Sequence, residues 1–268
     1  MGQDMMDTLY IRLGNDGMFF AACDGSRQVD YEIKTVPFKP GVSLNVSVHE
    51  ALRSQPFASS EYREVRALCE GRATLVPLSE FDEDACEALY FFNFPGRRGR
   101  LRVFYDALPR QDAVLLFGVD KAVCRTLEEA FPQVVFQSVE TPLLLHFAAS
   151  SPRALPRRRL FVNLTAESMS VAACRSGRIE LYNAFTLHHP EDALYYTLHV
   201  AKTWGFDASS DEVYVSGEAV MVDTMQKSTK PYLPNVFPVR IEEEFPGTPL
   251  CRESALPYDF VNLLLRTF

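Results

Sequence analysis

The stretch that decides the fold runs from Arg159 to Gly217. Three of its segments have the β-branched and aromatic content of strands, and short turns separate them. These segments are Arg-Leu-Phe-Val-Asn-Leu (159–164), Ser-Met-Ser-Val-Ala-Ala-Cys (168–174) and Arg-Ile-Glu-Leu-Tyr-Asn-Ala-Phe-Thr (178–186). An amphipathic segment from about Pro190 to Trp204 then predicts a helix, and Glu-Val-Tyr-Val-Ser-Gly (212–217) predicts a fourth strand.

The first half of the chain opens with the same order of elements. Thr8–Leu13, Met18–Cys23 and Val29–Val36 have strand composition, and glycine-rich turns join them. Two later segments, Ala113–Val119 and Val134–Ser138, are nearly all apolar, as strands covered on both faces are. The two halves therefore repeat one arrangement of elements, although their residues are not the same.

The segment from about 40 to 110 interrupts this arrangement and is predicted to be an insertion. Within it, Glu70-Gly71 is a candidate hairpin turn between Glu64–Leu68 and Ala73–Val76. The stretch Ser150–Arg159 has two prolines and a basic run, which is typical of a linker. We therefore expect an α/β protein with a first domain at 1–150, containing the insertion, and a second domain at 151–268.

The bulk composition disfavours several classes of protein. The 268 residues carry a formal net charge of −8, which disfavours binding to nucleic acid or to an anionic membrane surface. No apolar run approaches the roughly 18 residues of a membrane-spanning helix, and the N-terminus lacks the pattern of a secretory signal. The six cysteines form no Cys-x-x-Cys pair, which favours reduced thiols and a cytoplasmic location.

The order of three antiparallel strands, a helix, and then parallel strands alternating with helices resembles the ribonuclease-H-like fold. Two such copies joined by a crossing helix resemble the actin, sugar-kinase and Hsp70 superfamily. The chain is most similar to its small members, the actin-like proteins of type IV pilus assembly and type II secretion. In those proteins a helix containing Glu precedes the second domain, as Val139-Glu140-Thr141-Pro142-Leu143 does here. The chain also resembles an uncharacterised bacterial family of such proteins.

The resemblance implies two ribonuclease-H-like halves of actin-like ATPase type with mixed sheets, and a nucleotide site with three conserved parts in the superfamily. The first phosphate loop has Asp-x-Gly, where this chain has Arg12-Leu13-Gly14. The second has Asp-x-Gly and then Thr, where this chain has Asn163-Leu164-Thr165. The segment that binds adenosine has two glycines in the superfamily, where this chain has one, in Ser216-Gly217-Glu218. The candidate cofactor-binding residues, which form a degenerate nucleotide cleft, are Arg12, Gly14, Asn163, Thr165 and Gly217.

These departures predict that the chemistry of the superfamily is lost. Nucleotide phosphates are normally held through Mg²⁺ and glycine-rich backbone, and both acidic positions lack a carboxylate here. Arg12 either pairs with a phosphate directly or is an exposed strand residue. The adjacent His188 and His189 point to opposite faces of an extended chain and make a poor metal site. We therefore expect no metal, no cofactor and no catalysis, but a binding or scaffold protein with an unidentified protein partner and an unspecified oligomeric state.

Two alternatives remain open at this stage. The chain is a nucleotide-binding protein or a small-molecule kinase if displaced carboxylates, with Asp16, Asp24 and Glu167 as candidates, replace the missing ones. It is an RNA-associated accessory protein if two arginine clusters form a basic surface. The first cluster has Arg98, Arg100 and Arg102 on one predicted strand face beside Arg97, and the second is Arg153, Arg157, Arg158 and Arg159.

Overall fold

The computed structural model describes residues 6–23, 31–151, 154, 157–189, 191–248, 250 and 256–265. The chain divides into two compact units. The first comprises Met1–Ala107 and Val114–Thr141, and the second comprises Leu108–Ala113 and Pro142–Phe268. Each unit contains a five-stranded mixed sheet. The boundaries expected from the sequence, 1–150 and 151–268 with an insertion at about 40–110, stay a prediction.

The five-stranded sheet of the first unit has the order β3-β2-β1-β4-β8. Its antiparallel part is β1 (Met6–Leu13), β2 (Gly17–Cys23) and β3 (Tyr31–Pro37), and its parallel part adds β4 (Tyr62–Cys69) and β8 (Val134–Ser138). Because β1 lies between β2 and β4, its residues from Leu9 to Leu13 are all buried. Helix α1 (Leu44–Ser54) packs against α3 (Lys121–Ala130).

A three-stranded sheet is inserted between β4 and α3. Its strands are β5 (Ala73–Pro77), β6 (Leu101–Leu108) and β7 (Ala113–Asp120), in the order β5-β7-β6. Helix α2 (Cys86–Asn93) packs into its core through Tyr90 and Phe91, whereas Phe92 is 86% exposed. Consecutive helical residues diverge by about 100°, so this run of aromatic side chains cannot all face one core.

The five-stranded sheet of the second unit has the order β11-β10-β9-β12-β13. Its strands are β9 (Arg158–Leu164), β10 (Ser168–Arg175), β11 (Arg178–Thr186), β12 (Glu212–Gly217) and β13 (Val236–Pro238). The first three are antiparallel, and β12 and β13 run parallel to β9. This order is that of the first unit, position by position. Both units thus have the ribonuclease-H-like arrangement of strands, and the predicted fold class is confirmed.

The two faces of this second sheet differ because side chains alternate along a strand. Leu160, Val162, Val213 and Val215 join one core with residues of α5 (Asp192–Thr203) and α6 (Ala219–Thr229). The intervening Phe161 and Tyr214 have stacked rings that continue to Phe147 of α4 (Glu140–Ala149). The unit ends with α7 (Ile241–Glu244) and α8 (Tyr258–Leu265).

Two local predictions are wrong. The hairpin expected at Glu70-Gly71 does not form, because β4 belongs to the five-stranded sheet and β5 to the three-stranded one. A Cβ atom at Gly71 would lie 2.8 Å from the Gly118 carbonyl oxygen, so glycine allows the chain to pass close to β7. The strand face expected for Arg98, Arg100 and Arg102 is also wrong. Strand β6 begins at Leu101, so Arg102 alone of these three lies on it.

Two further expectations concern membranes and cysteines. No helix among the described residues is long and apolar enough to cross a membrane. Cys69, Cys86, Cys124 and Cys174 carry free thiols and are buried. Burial raises the pKa of the Cys124 thiol to about 11, so this thiol stays protonated near neutral pH. Cys251 lies outside the described residues.

Candidate functional site

The first phosphate-loop position lies in the turn between β1 and β2. The Gly14 N–H donates to the Gly17 carbonyl oxygen at 2.9 Å and closes the turn. Glu70, which directly follows β4, donates its own N–H to the Leu13 carbonyl oxygen at 2.9 Å. The Glu70 carboxylate accepts hydrogen bonds from the backbone N–H of Asn15 at 3.3 Å and from its side-chain amide at 3.1 Å. A carboxylate of the chain itself is therefore bound to this turn.

Arg12 belongs to the same cluster. Its side chain is 5% exposed, and its Nη2 atom lies 3.9 Å from Glu70 Oε2. Its guanidinium lies 5.7 Å from the centroid of the Phe19 ring. A Cβ atom at Gly14 would lie 2.6 Å from Arg12 Nη1, so glycine provides the space for the guanidinium. The interpretation of Arg12 as an exposed strand residue is wrong, because the side chain is buried against a carboxylate and an aromatic ring.

The second phosphate-loop position lies in the turn between β9 and β10 and has the same hydrogen bonds. The Thr165 N–H donates to the Ser168 carbonyl oxygen at 2.9 Å, and the Thr165 and Ser168 hydroxyls lie 2.8 Å apart. Glu218 directly follows β12 and donates its N–H to the Leu164 carbonyl oxygen at 3.1 Å. Its carboxylate accepts from the Ala166 N–H at 2.8 Å.

These hydrogen bonds match the two turns residue by residue. Asn15 matches Ala166, and Glu70 matches Glu218: in each unit the residue after the fourth strand of the repeat is a glutamate bound to the second N–H of the first turn. Exposed backbone N–H groups of such turns are the donors that bind phosphate in nucleotide sites. Here both donors have a charge-assisted bond to a carboxylate of the same unit.

Gly217 and Asn163 fix the geometry of the second turn. Gly217 has φ +114°, and a Cβ atom there would lie 2.0 Å from the Leu164 carbonyl oxygen, so β12 can approach the end of β9 only with glycine at this position. Asn163 is buried, and its side-chain oxygen accepts a hydrogen bond from the Ser216 hydroxyl at 3.0 Å. The side-chain oxygen of Asn163 is therefore bonded to the neighbouring strand β12.

The remaining candidate carboxylates lie one in each of the two turns or outside the described residues. Asp16 and Glu167 are exposed in the two turns, and Asp24 lies outside the described residues. In the part of the chain that the structure describes, no three His, Cys, Asp or Glu side chains are grouped so that they could hold a metal ion.

The adjacent histidines lie just before the start of α5. The backbone N–H groups of His188 and His189 donate to the Asp192 carboxylate, and these bonds lower the pKa of that carboxyl group.

The second arginine cluster is engaged within its own unit. Arg157 and Arg159 both bind the Glu212 carboxylate, at 3.0 and 2.8 Å. The guanidinium of Arg158 lies 4.0 Å from Asp211 and 5.7 Å from the Trp204 ring centroid. Arg153 lies outside the described residues. These pairs reduce the positive charge that the cluster offers to an RNA backbone.

The sequence indicates the degenerate loops but not the carboxylates that bind them. Glu218 stands where the superfamily has its second glycine, and Glu70 belongs to the predicted turn Glu70-Gly71. A signal was present, since each glutamate directly follows the strand that runs parallel to the first strand of its unit.

This architecture, two units with ribonuclease-H-like sheets of equal strand order, defines the class of actin-like ATPase folds. Within it, the chain belongs to the family described as "Protein of unknown function (DUF3822)", whose model matches residues 3–236. No curated protein matches the sequence.

Two solved structures place the chain within this class. It is similar to a Bacteroides thetaiotaomicron protein with actin-like ATPase fold and unknown function, with 25% identity, a TM-score of 0.86, and 98% of this chain and 97% of that chain covered. It is also similar to a chain of the PilM–PilN type IV pilus biogenesis complex, with 14% identity, a TM-score of 0.61, and 97% and 98% covered. The predicted resemblance to pilus-assembly actin-like proteins is confirmed for the fold.

Proposed function

We propose that this chain is a non-catalytic actin-like binding or scaffold protein that acts in the cytoplasm and binds no nucleotide at its phosphate loops. The observation that carries the proposal is the repeated glutamate. Glu70 and Glu218 occupy the loop N–H groups that a phosphate would need, and they do so in equivalent positions of the two units. Arg12 and Asn163 stand at the two positions where the superfamily has its metal-binding acids.

The magnitudes favour exclusion of nucleotide. A hydrogen bond to a charged group contributes about 1.5–3 kcal/mol, which a phosphate must replace to displace either carboxylate. If the carboxylate stays nearby, two like charges 4 Å apart repel by about 4 kcal/mol at an effective dielectric constant of 20. A millimolar complex has a total binding free energy of about −4 kcal/mol. Either cost is therefore comparable with the whole affinity of a weak nucleotide complex.

A protein partner is the second part of the proposal. The structurally similar PilM–PilN assembly is a complex of proteins, and we propose that this chain also works by binding a protein. The inserted three-stranded sheet and its helix supply a candidate contact surface. Phe92 is 86% exposed, Leu78 is 54% exposed, and Arg98 and Arg100 are exposed on the same inserted segment. Exposed aromatic and arginine side chains are enriched among the residues that dominate protein interfaces.

The nucleotide part is tested by calorimetric titration of the purified chain with Mg-ATP, together with a phosphate-release assay. We expect no saturable heat up to millimolar ATP and no phosphate release above buffer. Micromolar affinity overturns the proposal and favours displaced catalytic carboxylates. In that case Asp16→Asn and Glu167→Gln identify whether those two side chains carry the activity.

The partner part is tested by comparing two exposed apolar residues in different units. Val220 is 80% exposed on α6 and serves as the matched control for Phe92. We expect Phe92→Ser to lose a protein that the wild type and Val220→Ser both retain in affinity purification. Equal retention by all three contradicts the assigned surface. Binding that consists of RNA and falls steeply with salt supports the RNA-associated alternative instead.

A further inference from the structure

The segment around α2 carries opposite charges at the two ends of this helix. Residues 72–102 have five acids and five arginines and thus no net charge, in a chain whose formal net charge is −8. All five acids lie between Glu80 and Glu87, before or within the first turn of α2, and four of the arginines follow the end of the helix. Helix α2 has eight residues and is about 12 Å long, which exceeds the Debye length of about 8 Å at physiological salt. The two groups of charges therefore do not screen each other.

Two arginine side chains are held in place at the end of α2 by aromatic rings. The Arg98 guanidinium lies 5.6 Å from the centroid of the Phe91 ring, and the Arg72 guanidinium lies 5.7 Å from that of the Phe94 ring. Both rings contact the Tyr90 ring, with centroids 5.2 and 5.0 Å apart. A ring face orients a guanidinium without neutralising its charge. The positive end of the segment is therefore ordered and still charged.

The charges at both ends of α2 lack partners within the described part of the chain. Arg98 forms no ion pair with a described carboxylate, and Asp84 and Glu87 form none with a described cation. All three side chains are exposed. Arg102 differs, since its guanidinium is paired with Glu128 at 2.5 Å. Charges of both signs are thus available to a second molecule.

The exposed face of α2 has one large and one small side chain. Phe92 is 86% exposed, and Ala88, one turn earlier on the same face, is also exposed. The opposite face is anchored in the core by Tyr90 and Phe91. If two such helices meet in antiparallel orientation, Phe92 of each can pack over Ala88 of the other. The shape of this face is therefore complementary to itself.

We propose that α2 packs antiparallel against α2 of a second copy of this chain about a two-fold axis. Phe92 of each copy lies over Ala88 of the other, and Asp84 and Glu87 of each copy face Arg98 of the other. A two-fold axis reverses the helix, so it brings the acidic start of one beside the arginines at the end of the other, and it does so twice. This inference rests on the proposed role of the inserted segment as a contact surface and identifies the partner as a second copy.

The charge pattern favours a second copy over the other occupants of this surface. RNA would bring phosphates towards the acids at the start of α2, and an acidic peptide would leave Asp84 and Glu87 without a cation. A second copy pairs both ends. A contact between two helices of eight residues is smaller than the roughly 1,200 Å² of specific stable interfaces, so we expect a weak dimer that dissociates on dilution.

The first test is analytical ultracentrifugation of the full chain from about 10 µM to about 1 mM, the range in which a weak association is resolved. We expect a monomer–dimer equilibrium. Phe92→Ser should weaken association by about tenfold or more, because it removes the apolar side chain at the centre of the contact. Val220→Ser is the matched control, since Val220 is 80% exposed on α6, and it should associate as the wild type does.

The second test reverses charges on the two ends of α2. Glu87→Arg and Arg98→Glu each place like charges together at both contacts of their own dimer, and each should weaken association by about tenfold or more. When the two variants are mixed, the heterodimer has opposite charges at both contacts, so association should return to that of the wild type. Because the mixture restores binding, loss by either variant alone cannot come from misfolding. Arg53→Glu alters an exposed arginine in the last turn of α1 and should change nothing.

Three results overturn the inference: a monomer at about 1 mM, charge variants that associate as the wild type does, or a mixture that does not restore association. If the chain is monomeric but Phe92→Ser still loses a different protein in affinity purification, the second copy is ruled out and the proposed contact surface stands. Saturable binding of Mg-ATP contradicts the proposed function instead, and it leaves the measured association of the variants unaffected.

Discussion

Replacement of Gly217 by alanine should separate the end of β12 from β9. In the native structure an alanine Cβ would lie 2.0 Å from the Leu164 carbonyl oxygen and 2.7 Å from the Leu164 nitrogen. Both are backbone atoms, so no flexible side chain can move away. Real Cβ contacts essentially never fall below 3.0 Å, and the strands must therefore move apart by about 1 Å.

The cost follows from two contributions. The φ of +114° at Gly217 strains an alanine by about 1–3 kcal/mol. Separation of the strands weakens the hydrogen bond from the Glu218 N–H to the Leu164 carbonyl oxygen, which is 3.1 Å long and contributes about 0.5–1.5 kcal/mol. We therefore expect Gly217→Ala to lower the free energy of unfolding of the second unit by about 2–4 kcal/mol.

Urea unfolding followed by tryptophan fluorescence measures this change, because Trp204 is the single tryptophan of the chain and lies in the second unit. Gly247→Ala is the matched control. Gly247 has φ +83°, but a Cβ atom there would meet nothing within 4 Å, so it carries backbone strain without the close approach. We expect the control to cost about 1–2 kcal/mol. If Gly217→Ala lowers the free energy of unfolding no more than Gly247→Ala does, the close approach of β12 to β9 does not contribute to the cost.

Two other predictions concern the first unit. Arg12→Met should lower the free energy of unfolding by about 2–3 kcal/mol in urea, because it removes the guanidinium that lies 3.9 Å from the partly buried Glu70 carboxylate. A loss under about 0.5 kcal/mol would show that this ion pair contributes little. Burial raises the pKa of Asp106 from 3.8 to about 6, although this carboxylate accepts hydrogen bonds from the Ser138 N–H and the Thr141 hydroxyl. The native unit then holds a proton that the unfolded chain releases, so the contribution to stability is complete below about pH 4 and is lost as the pH rises through 6. Between about pH 4 and pH 6, the free energy of unfolding of the wild type, measured in urea, should fall by about 1–2 kcal/mol relative to that of Asp106→Asn. If the two proteins show parallel pH profiles, the pKa of Asp106 is not raised in the native unit.

The fold was predictable from the sequence because it depends on local patterns. In β9, the apolar run Leu160, Phe161 and Val162 indicates a strand covered on both faces. The turn residues between the strands are recognisable without any long-range information. The hairpin expected at Glu70-Gly71 failed for the opposite reason. The choice of β4 between pairing with β5 and pairing with β1 and β8 depends on distant strands that the local pattern does not contain.

The sequence predicts which metal-binding acids the candidate site lacks, but it does not predict which carboxylates bind the loops instead. The absence of acids at residues 12 and 163 is visible in the sequence. The bonds from Asn15 to Glu70 and from Ala166 to Glu218 join residues 55 and 52 positions apart, and no local pattern encodes such pairs. The same holds for His146 and Glu244, whose pairing requires α4 and α7 to meet. The pairing of Arg12 likewise depends on the carboxylate of Glu70, the residue that follows β4.

The most direct test of the central claim is the ¹H–¹⁵N spectrum of the Asn15 and Ala166 amides while Mg-ATP is added. If Glu70 and Glu218 hold these two N–H groups, neither resonance should move at millimolar Mg-ATP, whereas Glu70→Gln and Glu218→Gln should each shift the amide that the carboxylate binds. Saturable movement of both amides in the wild type upon addition of Mg-ATP would contradict the claim that the carboxylates close the loops to phosphate.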